Sequence, residues 1–526
     1  MTTLGGPRVR SMPRFGHGYA SISRAWIWLV LAGLLSSGCA APDESPTRPA
    51  VASPSAPADS ARPSPVSTAP QLATTLRDSI DLDSLLADLD RLGLITAEHG
   101  GARPAGSDGH AAAADWVADE LRRAGYEVTL DRVSLPLFAQ DDPGVLEIVA
   151  PGVPGVPAFH GPRDFKAMLL SPSGEVTAPV FALDFDRDAQ PGDRNGTGCE
   201  AASWTGVPAG VIVLVQPGPC RMRTIVDHAQ AAGAAALVAA YAEWGPDQVR
   251  RPTLIDPDGL DIPVIGATRD VGLALADAAA AGDDVHLLVS TTVTTRQSVN
   301  VIGETPGGDP DHVVMLGAHL DSVIDGPGIN DNGSGAATIL EIARRLAALT
   351  GGQPGWKVRV AFWTGEEIGL WGSVHYADSL DDAGRRSIAA YLNFDMLGSP
   401  NWVRQVYAGS GLDNASSVTL EGLFGQAFDA DGLTWETVEI GGSSDDYRFD
   451  GLGIAVGGLF AGASQRKTDA QAATFGGSAD TPYDACYHLA CDTVDNVDAV
   501  LLGQMARAAA WVVGDLAGGE VELQQP

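Results

Sequence analysis

The chain has 526 residues, 45% of them hydrophobic, and its 66 acidic and 33 basic residues give a formal net charge of −33 at pH 7. That length exceeds what one hydrophobic core normally serves, so we expect two domains with additional segments. The apolar content indicates a globular protein. The excess of negative charge excludes nucleic acid as a partner, because a polyanion is repelled by the field of an acidic protein.

The first 39 residues are predicted to be a targeting segment. Four arginines precede an apolar run over residues 25–35, which is too short to span a bilayer but fits the core of a signal peptide. The sequence LSSGC over residues 35–39 resembles a bacterial lipobox and predicts lipidation of Cys39, with simple secretion as the alternative. We therefore expect an exported protein, either a cell-surface lipoprotein or a secreted one, whose membrane contact is limited to an N-terminal lipid anchor.

Residues 40–73 are rich in Pro, Ala and Ser and have almost no large apolar side chains, which predicts a disordered linker. Ordered structure is expected to begin near Leu82. The segment 107–124 is predicted to be a helix, since its apolar residues recur at helical spacing and Gly125 follows as a stop signal.

The sequence contains five cysteines. When Cys39 is set aside, four remain, and an even number in an exported chain predicts two disulfides. Of the three possible pairings we favour the two local ones, Cys199–Cys220 and Cys486–Cys491.

Between residues 134 and 295 the sequence changes to short strands separated by many Pro and Gly turns. Apolar strands over 211–215 and 234–240 flank a short helix over 224–232, which predicts a β-α-β unit. No phosphate-binding glycine pattern accompanies this unit.

The stretch over residues 210–241, followed by IPVIG over 262–266, resembles a protease-associated (PA) domain. Such domains are inserted in several exopeptidase families and usually lack catalytic residues. We therefore predict a PA insert over 134–295 that interrupts a catalytic domain made of residues 74–133 and 296–520.

After residue 298 the pattern becomes strand, loop and helix in repeated order. Three apolar runs, over 313–316, 358–363 and 389–394, each lead within a few positions to a polar residue. The polar residues are His319, Glu366 and Asp395. Open α/β sheets bind their ligands beyond the carboxyl ends of the strands, so we expect these side chains to converge on one crevice.

Two histidines and three carboxylates in this half of the chain form a mixed nitrogen and oxygen ligand set that suits zinc. They are His319, Asp331, one glutamate of the adjacent pair Glu366 and Glu367, Asp395 and His488. The other glutamate of the pair, next to a ligand, is placed like a general base. The residues themselves therefore predict a metal-dependent hydrolase.

Ordinary explanations exist for these motifs when each is taken alone. The pair Glu366 and Glu367 could be a solvated helix start, where carboxylates favour the positive end of the helix dipole. The buried apolar run in front of the pair favours a metal instead, because two carboxylates after a buried strand are costly to desolvate without a cation. The segment 331–335 could be a simple turn and cap; we expect a tight loop that aims Asp331, with Ser334 or a neighbour capping the next helix.

The motifs GAHLDS, DNGSG, TGEEIGLWGS, NFDMLG and CYHLACDTVDN resemble the di-zinc aminopeptidases of peptidase family M28, and the last 80 residues are especially similar to its secreted Streptomyces-type members. The likeness covers roughly residues 80–130 and 298–515. It implies an α/β fold with a mixed, mostly parallel central sheet flanked by helices, of the zinc-exopeptidase (phosphorylase/hydrolase-like) type. The inserted PA domain would be a small, β-rich α/β module.

The resemblance also implies a role for each site residue and two Zn²⁺ ions per chain. One zinc would be held by His319 and Asp395, the second by Glu367 and His488, and Asp331 would bridge both. Glu366 would be the general base for a metal-bridging hydroxide.

Three supporting features complete the predicted site, of which the resemblance assigns the first. Tyr487 would donate a hydrogen bond to the oxyanion, with a packed aromatic beside the disulfide as the alternative. Asp321 would orient the imidazole of His319, and Cys486–Cys491 would stiffen the loop that carries Tyr487 and His488. The sequence departs from close secreted relatives before the GGLF strand, where they carry Arg-Ser-Asp-Tyr and this chain has Ser-Asp-Asp-Tyr over 444–447.

We therefore expect an exported zinc aminopeptidase that removes apolar N-terminal residues from peptides or proteins. Within the same fold a carboxypeptidase or a single-zinc glutaminyl cyclase stays possible. A carboxypeptidase needs a basic clamp for the terminal carboxylate, and only Arg448, Arg466 and Lys467 are near in sequence. A non-catalytic peptide-binding ectodomain is the alternative from another class, although such chains usually lose metal ligands that are all present in this one.

Overall fold

The fold is described from a computed structural model, which covers residues 69–149, 158–189, 196–241, 249, 251–412, 414–439 and 442–524. The predicted signal peptide, Cys39 and the linker up to residue 68 lie outside the described residues.

Helices and strands are numbered in chain order. The helices are α1 (Ala69–Ser79), α2 (Leu82–Glu98), α3 (Asp108–Ala124), α4 (Met222–Ala231), α5 (Arg269–Ala281), α6 (Gly335–Thr350), α7 (Trp371–Ser379), α8 (Asp382–Ser387), α9 (Ala415–Ala430), α10 (Tyr447–Gly451), α11 (Asp469–Phe475) and α12 (Ala499–Gly518). The strands are β1 (Glu127–Gln140), β2 (Val145–Val149), β3 (Ala158–Phe159), β4 (Phe165–Ala167), β5 (Gly174–Leu183), β6 (Ile212–Val215), β7 (Ala236–Ala240), β8 (Val264–Ala267), β9 (Asp284–Val289), β10 (Thr291–Glu304), β11 (Asp309–His319), β12 (Trp356–Trp363), β13 (Ile388–Phe394), β14 (Gln405–Tyr407), β15 (Glu436–Val438) and β16 (Val456–Phe460).

The strands form two eight-stranded sheets. The first has the order β1-β10-β12-β11-β13-β16-β14-β15, and its centre from β12 to β16 is parallel. Its faces are covered by helices whose apolar sides, including those of α3, α6 and α12, share one core with the sheet. This mixed, mostly parallel sheet flanked by helices confirms the predicted fold class.

Helix α3 confirms the predicted segment 107–124. Ser107 caps its start, because its Oγ accepts the His110 N–H at 3.2 Å, and Gly125 ends it with a φ of 92°. The buried side includes Ala113 and Val117, as the helical spacing predicts.

The expectation that ordered structure begins near Leu82 is wrong. Helix α1 begins at Ala69, so the last residues of the predicted linker are helical. Leu72 and Leu76 of α1 are buried in the main core, where α1 packs against α12. The composition around Ala69 is that of the preceding linker, and only the tertiary contact with α12, which the sequence does not reveal, explains the helix.

The second sheet has the order β3-β2-β9-β5-β6-β7-β8-β4 and is built from residues between 145 and 289. Its β6-α4-β7 unit confirms the predicted strand, helix and strand within two residues at each end. A long antiparallel ribbon of β1 and β10 connects the two sheets, in register from Glu127 opposite Glu304 to Gln140 opposite Thr291. The predicted limits at residues 134 and 295 fall within this ribbon and stay predictions.

Both predicted disulfides are present. Cys199 is bonded to Cys220 in the insert, and Cys486 to Cys491 in the loop before α12. The second bond closes a loop that carries two of the predicted site residues.

The parallel neighbours β12, β11 and β13 position the candidate site. Strand β11 ends at His319, β12 ends at Trp363 just before Glu366, and β13 ends at Phe394 just before Asp395. Because parallel strands end at the same edge of a sheet, the three polar residues lie together, as the sequence predicts.

Candidate metal centre

The structure brings all five predicted ligands into one cluster, with Asp331 at its middle. Asp331 Oδ1 lies 3.2 Å from His319 Nε2, and Asp331 Oδ2 lies 3.1 Å from His488 Nε2. Asp395 Oδ1 is 3.4 Å from His319 Nε2, and Glu367 Oε2 is 3.0 Å from His488 Nε2. The cluster therefore has two halves that share only the carboxylate of Asp331.

The donor atoms fit divalent cations. His319, Asp331 and Glu367 are each at most 8% exposed, and one ligand atom of each lies within 4.8 Å of the others. In the described part of the chain, His319 Nε2, Glu367 Oε1 and Asp395 Oδ1 are buried without a hydrogen-bond partner. Buried carboxylates and imidazoles in this state need a cation to offset their desolvation.

The pKa values of the two histidines also indicate that the cluster needs positive charge. Burial alone would lower the pKa of His319, but Asp395 and Glu366 raise it well above its ordinary value. Burial opposes protonation of His488 as well, and Glu367 with Asp331 nevertheless raises its pKa to about 9. The surrounding carboxylates therefore favour positive charge at both imidazoles, and metal cations would supply such charge.

The loop that carries Asp331 is fixed by hydrogen bonds to Asp492 and to the end of β13. The carboxylate of Asp492 accepts the N–H groups of Asn330 at 2.8 Å and Asp331 at 3.1 Å. Asn332 donates to Phe394 O at 2.8 Å and accepts the Gly335 N–H at 2.9 Å. Ser334 is the N-cap residue of α6 but makes no capping bond with its side chain, and the neighbouring Asn332 supplies the acceptor for the first N–H of the helix.

The imidazole of His319 is oriented by residue 321, but mainly through its backbone. His319 Nδ1 lies 3.1 Å from the carbonyl oxygen of Asp321 and 3.9 Å from its carboxylate. That carboxylate accepts the Glu366 N–H at 3.3 Å, and burial raises the pKa of Asp321 to about 7. Asp321 therefore links the His319 strand end to the loop of Glu366.

Glu366 lies between the ligand cluster and the adjoining cavity. Its Oε2 is 4.0 Å from His319 Nε2, and its side chain is 12% exposed. Burial raises its pKa well above the ordinary value for a glutamate, and the charges of Glu367 and Asp395 act in the same direction, against His319. A carboxylate in this place is available to exchange protons with a molecule in the adjoining cavity.

Ser444 supports Asp395, and this role was not predicted from the sequence. Its Oγ donates to Asp395 Oδ2 at 2.7 Å and accepts from Asn393 Nδ2 at 2.8 Å. The signal that could have drawn attention to it is the departure from the Arg-Ser-Asp-Tyr pattern at residues 444–447.

Tyr487 and His488 share the disulfide-closed loop. The two rings stack, with centroids 3.8 Å apart. Asp484 supports the loop by accepting the Cys486 N–H at 2.8 Å and Asn330 Nδ2 at 2.7 Å. This network connects the His488 loop to the Asp331 loop.

Arg103 is a second residue that the sequence did not reveal. It is fully buried and donates to Leu320 O at 2.7 Å, to Gly328 O at 2.5 Å and to Pro327 O. The guanidinium therefore ties the end of β11 to the loop before Asp331. A lone arginine in the sequence GARPAGS is not distinguishable from a surface residue by pattern alone.

We expect Arg103→Met to lower the free energy of unfolding by about 3–5 kcal/mol, because three buried carbonyl groups lose their donor and nearby acids lose a countercharge. Urea denaturation monitored by tryptophan fluorescence measures this change. Arg122→Met, at an exposed position of α3, is the matched control. A loss no greater than that of the control would contradict the role of Arg103.

Two cavities meet at Glu366 and Tyr487. The side-chain cavity, about 370 Å³, lies within the catalytic domain and is lined by Asp331, Glu366, Asp395, Met396, Tyr407, Val438, Glu439, Ser443, Ser444, Asp446, Phe460, Ala463, Gln465 and Tyr487. The interdomain cavity, about 420 Å³, extends from Glu366, Glu367, Tyr487 and His488 to residues of the insert. A bound molecule could therefore extend to both sides of the cluster.

Comparison with known proteins follows the two parts of the chain. Residues 300–513 match the family model of Peptidase family M28, and residues 176–275 match that of the PA domain. An aminopeptidase of Pseudomonas aeruginosa is 37% identical over 463 residues, which cover 86% of this chain and 84% of that protein. The probable lipoprotein aminopeptidase LpqL of Mycobacterium tuberculosis is 35% identical, over 85% of this chain and 87% of its own length.

Among solved structures, the aminopeptidase from Aneurinibacillus sp. strain AM-1 superposes with a TM-score of 0.65 at 23% identity, covering 84% of this chain and 95% of that one. BSAP, a zinc aminopeptidase from Bacillus subtilis, gives a TM-score of 0.62 at 22% identity, covering 82% and 94%. These two structures share the fold.

Proposed function

Because the chain belongs to peptidase family M28 and is an aminopeptidase of that family, we propose that it works with two zinc ions and removes apolar N-terminal residues outside the cytoplasm. The observation that carries the two-metal assignment is the position of Asp331, whose two oxygens face two different histidines at 3.2 and 3.1 Å.

In this proposal His319 and Asp395 would hold one zinc, Glu367 and His488 would hold the other, and Asp331 would serve both. The orphaned donor atoms of His319, Glu367 and Asp395 support the assignment. Zinc in such a site polarises the substrate carbonyl and lowers the pKa of water toward neutrality.

Glu366 takes the proton of the attacking water on its carboxylate and returns it to the nitrogen of the leaving group. Its support is its place between the cluster and the two cavities. Tyr487 turns its hydroxyl to the developing oxyanion and donates a hydrogen bond to it. The stacked ring of His488 and the disulfide hold Tyr487 in position for this role.

The side-chain cavity suits the N-terminal residue of a peptide. Its walls include Met396, Val438 and Phe460, which offer apolar contact to a leucine-like side chain. Burial raises the pKa of Asp446, another lining residue, well above its ordinary value. The carboxyl groups of Glu366 and Asp395 line the same cavity and would face a free amine.

We expect the protein to hydrolyse Leu-p-nitroanilide and to leave N-acetyl-Leu-p-nitroanilide intact, because acetylation removes the charge that pairs with the carboxylates at the cavity. Release of p-nitroaniline measures both reactions. The unmodified substrate serves as its own control, and comparable turnover of the two compounds would contradict recognition of a free amine.

The carboxypeptidase alternative gains no support from the three basic residues near the site in sequence. Arg448 pairs with Asp378, Arg466 pairs with Asp480, and Lys467 donates to Trp402 O. None of the three is among the described residues that line either cavity. A glutaminyl cyclase would hold one zinc, so a count of two zinc ions per chain excludes it. The non-catalytic ectodomain is disfavoured because each ligand position is filled.

Export is supported by two disulfides, which form in oxidising compartments, and by the similarity to a probable lipoprotein aminopeptidase. We propose that the protein acts on peptides outside the cytoplasm and that Cys39 anchors it to the membrane surface.

A further inference from the structure

The insert forms one wall of the interdomain cavity. On the catalytic side it is lined by Glu366, Glu367, Tyr487 and His488, and on the insert side its lining includes the disulfide-bonded Cys220, Arg221, Met222 and Arg251. A peptide whose N-terminal residue fills the side-chain cavity would continue into this space. Its volume of about 420 Å³ lies at the small end of the range of about 300–1,000 Å³ for small-ligand pockets.

Hydrogen bonds connect the insert side of the cavity to the loop that carries Glu366 and Glu367. Thr253 Oγ donates to Ile368 O at 3.1 Å, and Trp371 Nε1 donates to Ile255 O at 3.2 Å. Arg221 adds a third connection, since its Nη2 donates to Gly442 O at 3.3 Å. Residues 251–255 are therefore held next to the loop of Glu366.

Two donor atoms of the Arg251 side chain have no hydrogen-bond partner among the described residues. Its side chain is 11% exposed, and its Nε lies 3.2 Å from Asp325 Oδ2 without forming a hydrogen bond. Nη1 is also buried without a hydrogen-bond partner among the described residues. Asp325 is shared, because Lys166 Nζ lies 3.2 Å from its other oxygen.

Two cations, Arg251 and Lys166, consequently share the carboxylate of Asp325, and of these three only Arg251 is among the described residues that line the cavity. Burial lowers the pKa of Arg251, and Asp325 opposes this effect only in part. A guanidinium keeps its charge in proteins, and its planar fork of donors matches a carboxylate. An arginine that lines a cavity and keeps donors without a partner among the described residues is therefore suited to bind an anionic group.

The two cavities differ in the charged residues that line them. The described lining of the side-chain cavity contains acidic residues and neither lysine nor arginine. The described lining of the interdomain cavity contains Arg221 and Arg251, and its acidic residues are Glu366 and Glu367 at the cluster itself. A short peptide with a free amine at one end and a free carboxylate at the other matches this polarity.

We propose that the interdomain cavity binds the C-terminal part of di- and tripeptides and that Arg251 pairs with their terminal carboxylate. The proposal rests on the proposed function, because the amine must occupy the side-chain cavity on the other side of the scissile bond. It assigns a substrate class, short peptides with both ends free, and gives the insert a direct part in binding them.

The test compares Leu-Ala and Leu-Ala-Ala with their C-terminal amides, for the zinc-loaded wild-type protein and for Arg251→Gln, Arg251→Lys and Arg187→Gln. Arg187 lies on the insert, is 49% exposed and pairs with Asp277, so it is the matched control. The readout is the ratio of kcat/KM for the free acid to that for the amide. We expect a ratio of about ten or more in the wild type and in Arg187→Gln, because a charged hydrogen bond contributes about 1.5–3 kcal/mol.

At the peptide length where the wild-type ratio is largest, we expect Arg251→Gln to bring the ratio close to one, mainly by raising KM for the free acid. We expect Arg251→Lys to restore part of the wild-type ratio. A structural role of Arg251 would lower both rates together and leave the ratio unchanged, which would overturn the proposal. A ratio near one for the wild-type protein at both peptide lengths would also overturn the proposal. This outcome does not depend on whether any variant folds. Cleavage of N-acetyl-Leu-Ala would instead contradict the proposed aminopeptidase function, so the two failures are distinguishable.

Discussion

The Glu366→Gln variant is expected to lose about 10²–10⁴-fold in kcat while it keeps the zinc content of the wild type. Glutamine has the size of glutamate but accepts no proton at neutral pH, so water activation and protonation of the leaving nitrogen both fail. Glu366 belongs to neither pair of close contacts around Asp331, since its nearest approach to His319 Nε2 is 4.0 Å. Turnover of Leu-p-nitroanilide and elemental analysis of the purified variant measure the two quantities.

The adjacent Glu367→Gln is the contrasting variant. Glu367 Oε2 lies 3.0 Å from His488 Nε2, so this substitution is expected to lower the zinc content. Retained activity in Glu366→Gln would mean that another group is the base. Equal loss of zinc in both variants would mean that Glu366 is a ligand.

The second large effect is expected for Asp331→Asn. An amide retains one carbonyl oxygen and replaces the other by an NH₂ group, which cannot face a metal, so one half of the cluster loses its shared ligand. We expect activity to fall further than in any other single variant of the site, and zinc to fall from two ions per chain to one or fewer. Kinetics at saturating zinc and elemental analysis after dialysis measure both losses.

Asp492→Asn is the graded control for this variant. Asp492 supports the Asp331 loop through two backbone N–H groups without reaching the histidines. Loss of such supporting contacts commonly reduces metal affinity or activity by about 10–100-fold. A loss in Asp331→Asn no greater than that in Asp492→Asn would contradict a bridging role.

The sequence predicted the parts of the site that follow strands. His319, Glu366 and Asp395 could be placed together because each follows an apolar run and parallel strands end at one edge of a sheet. His488 and Tyr487 follow no strand of the sheet. Residue type placed His488 in the ligand set, and only the resemblance to a known family assigned a role to Tyr487.

The supporting residues could not be predicted, because their partners are distant in the chain. Arg103 contacts carbonyl groups more than 200 residues away, and Asp492 accepts N–H groups 161 and 162 positions earlier. No local periodicity records such contacts. Asp321 shows a related limit: its position two residues after His319 predicted the right imidazole, but the atom nearest to Nδ1 is the carbonyl oxygen and not the carboxylate.

The same reasoning applies to the fold. Buried strands and the capped helix α3 were predictable, since hydrophobic period and stop signals are local. The start of α1 was not, because its residues become helical by packing on α12, more than 400 positions later. The ribbon of β1 and β10 also exceeds what turn signals suggest, since its pairing joins segments on either side of the insert.

The central claim is that the carboxylate of Asp331 serves two zinc ions at once. Anomalous diffraction at the zinc absorption edge, from crystals grown with zinc, tests this claim directly. The account predicts two peaks, one between Asp331 and His319 and the other between Asp331 and His488. A single peak, or two peaks of which one lies away from Asp331, would contradict it.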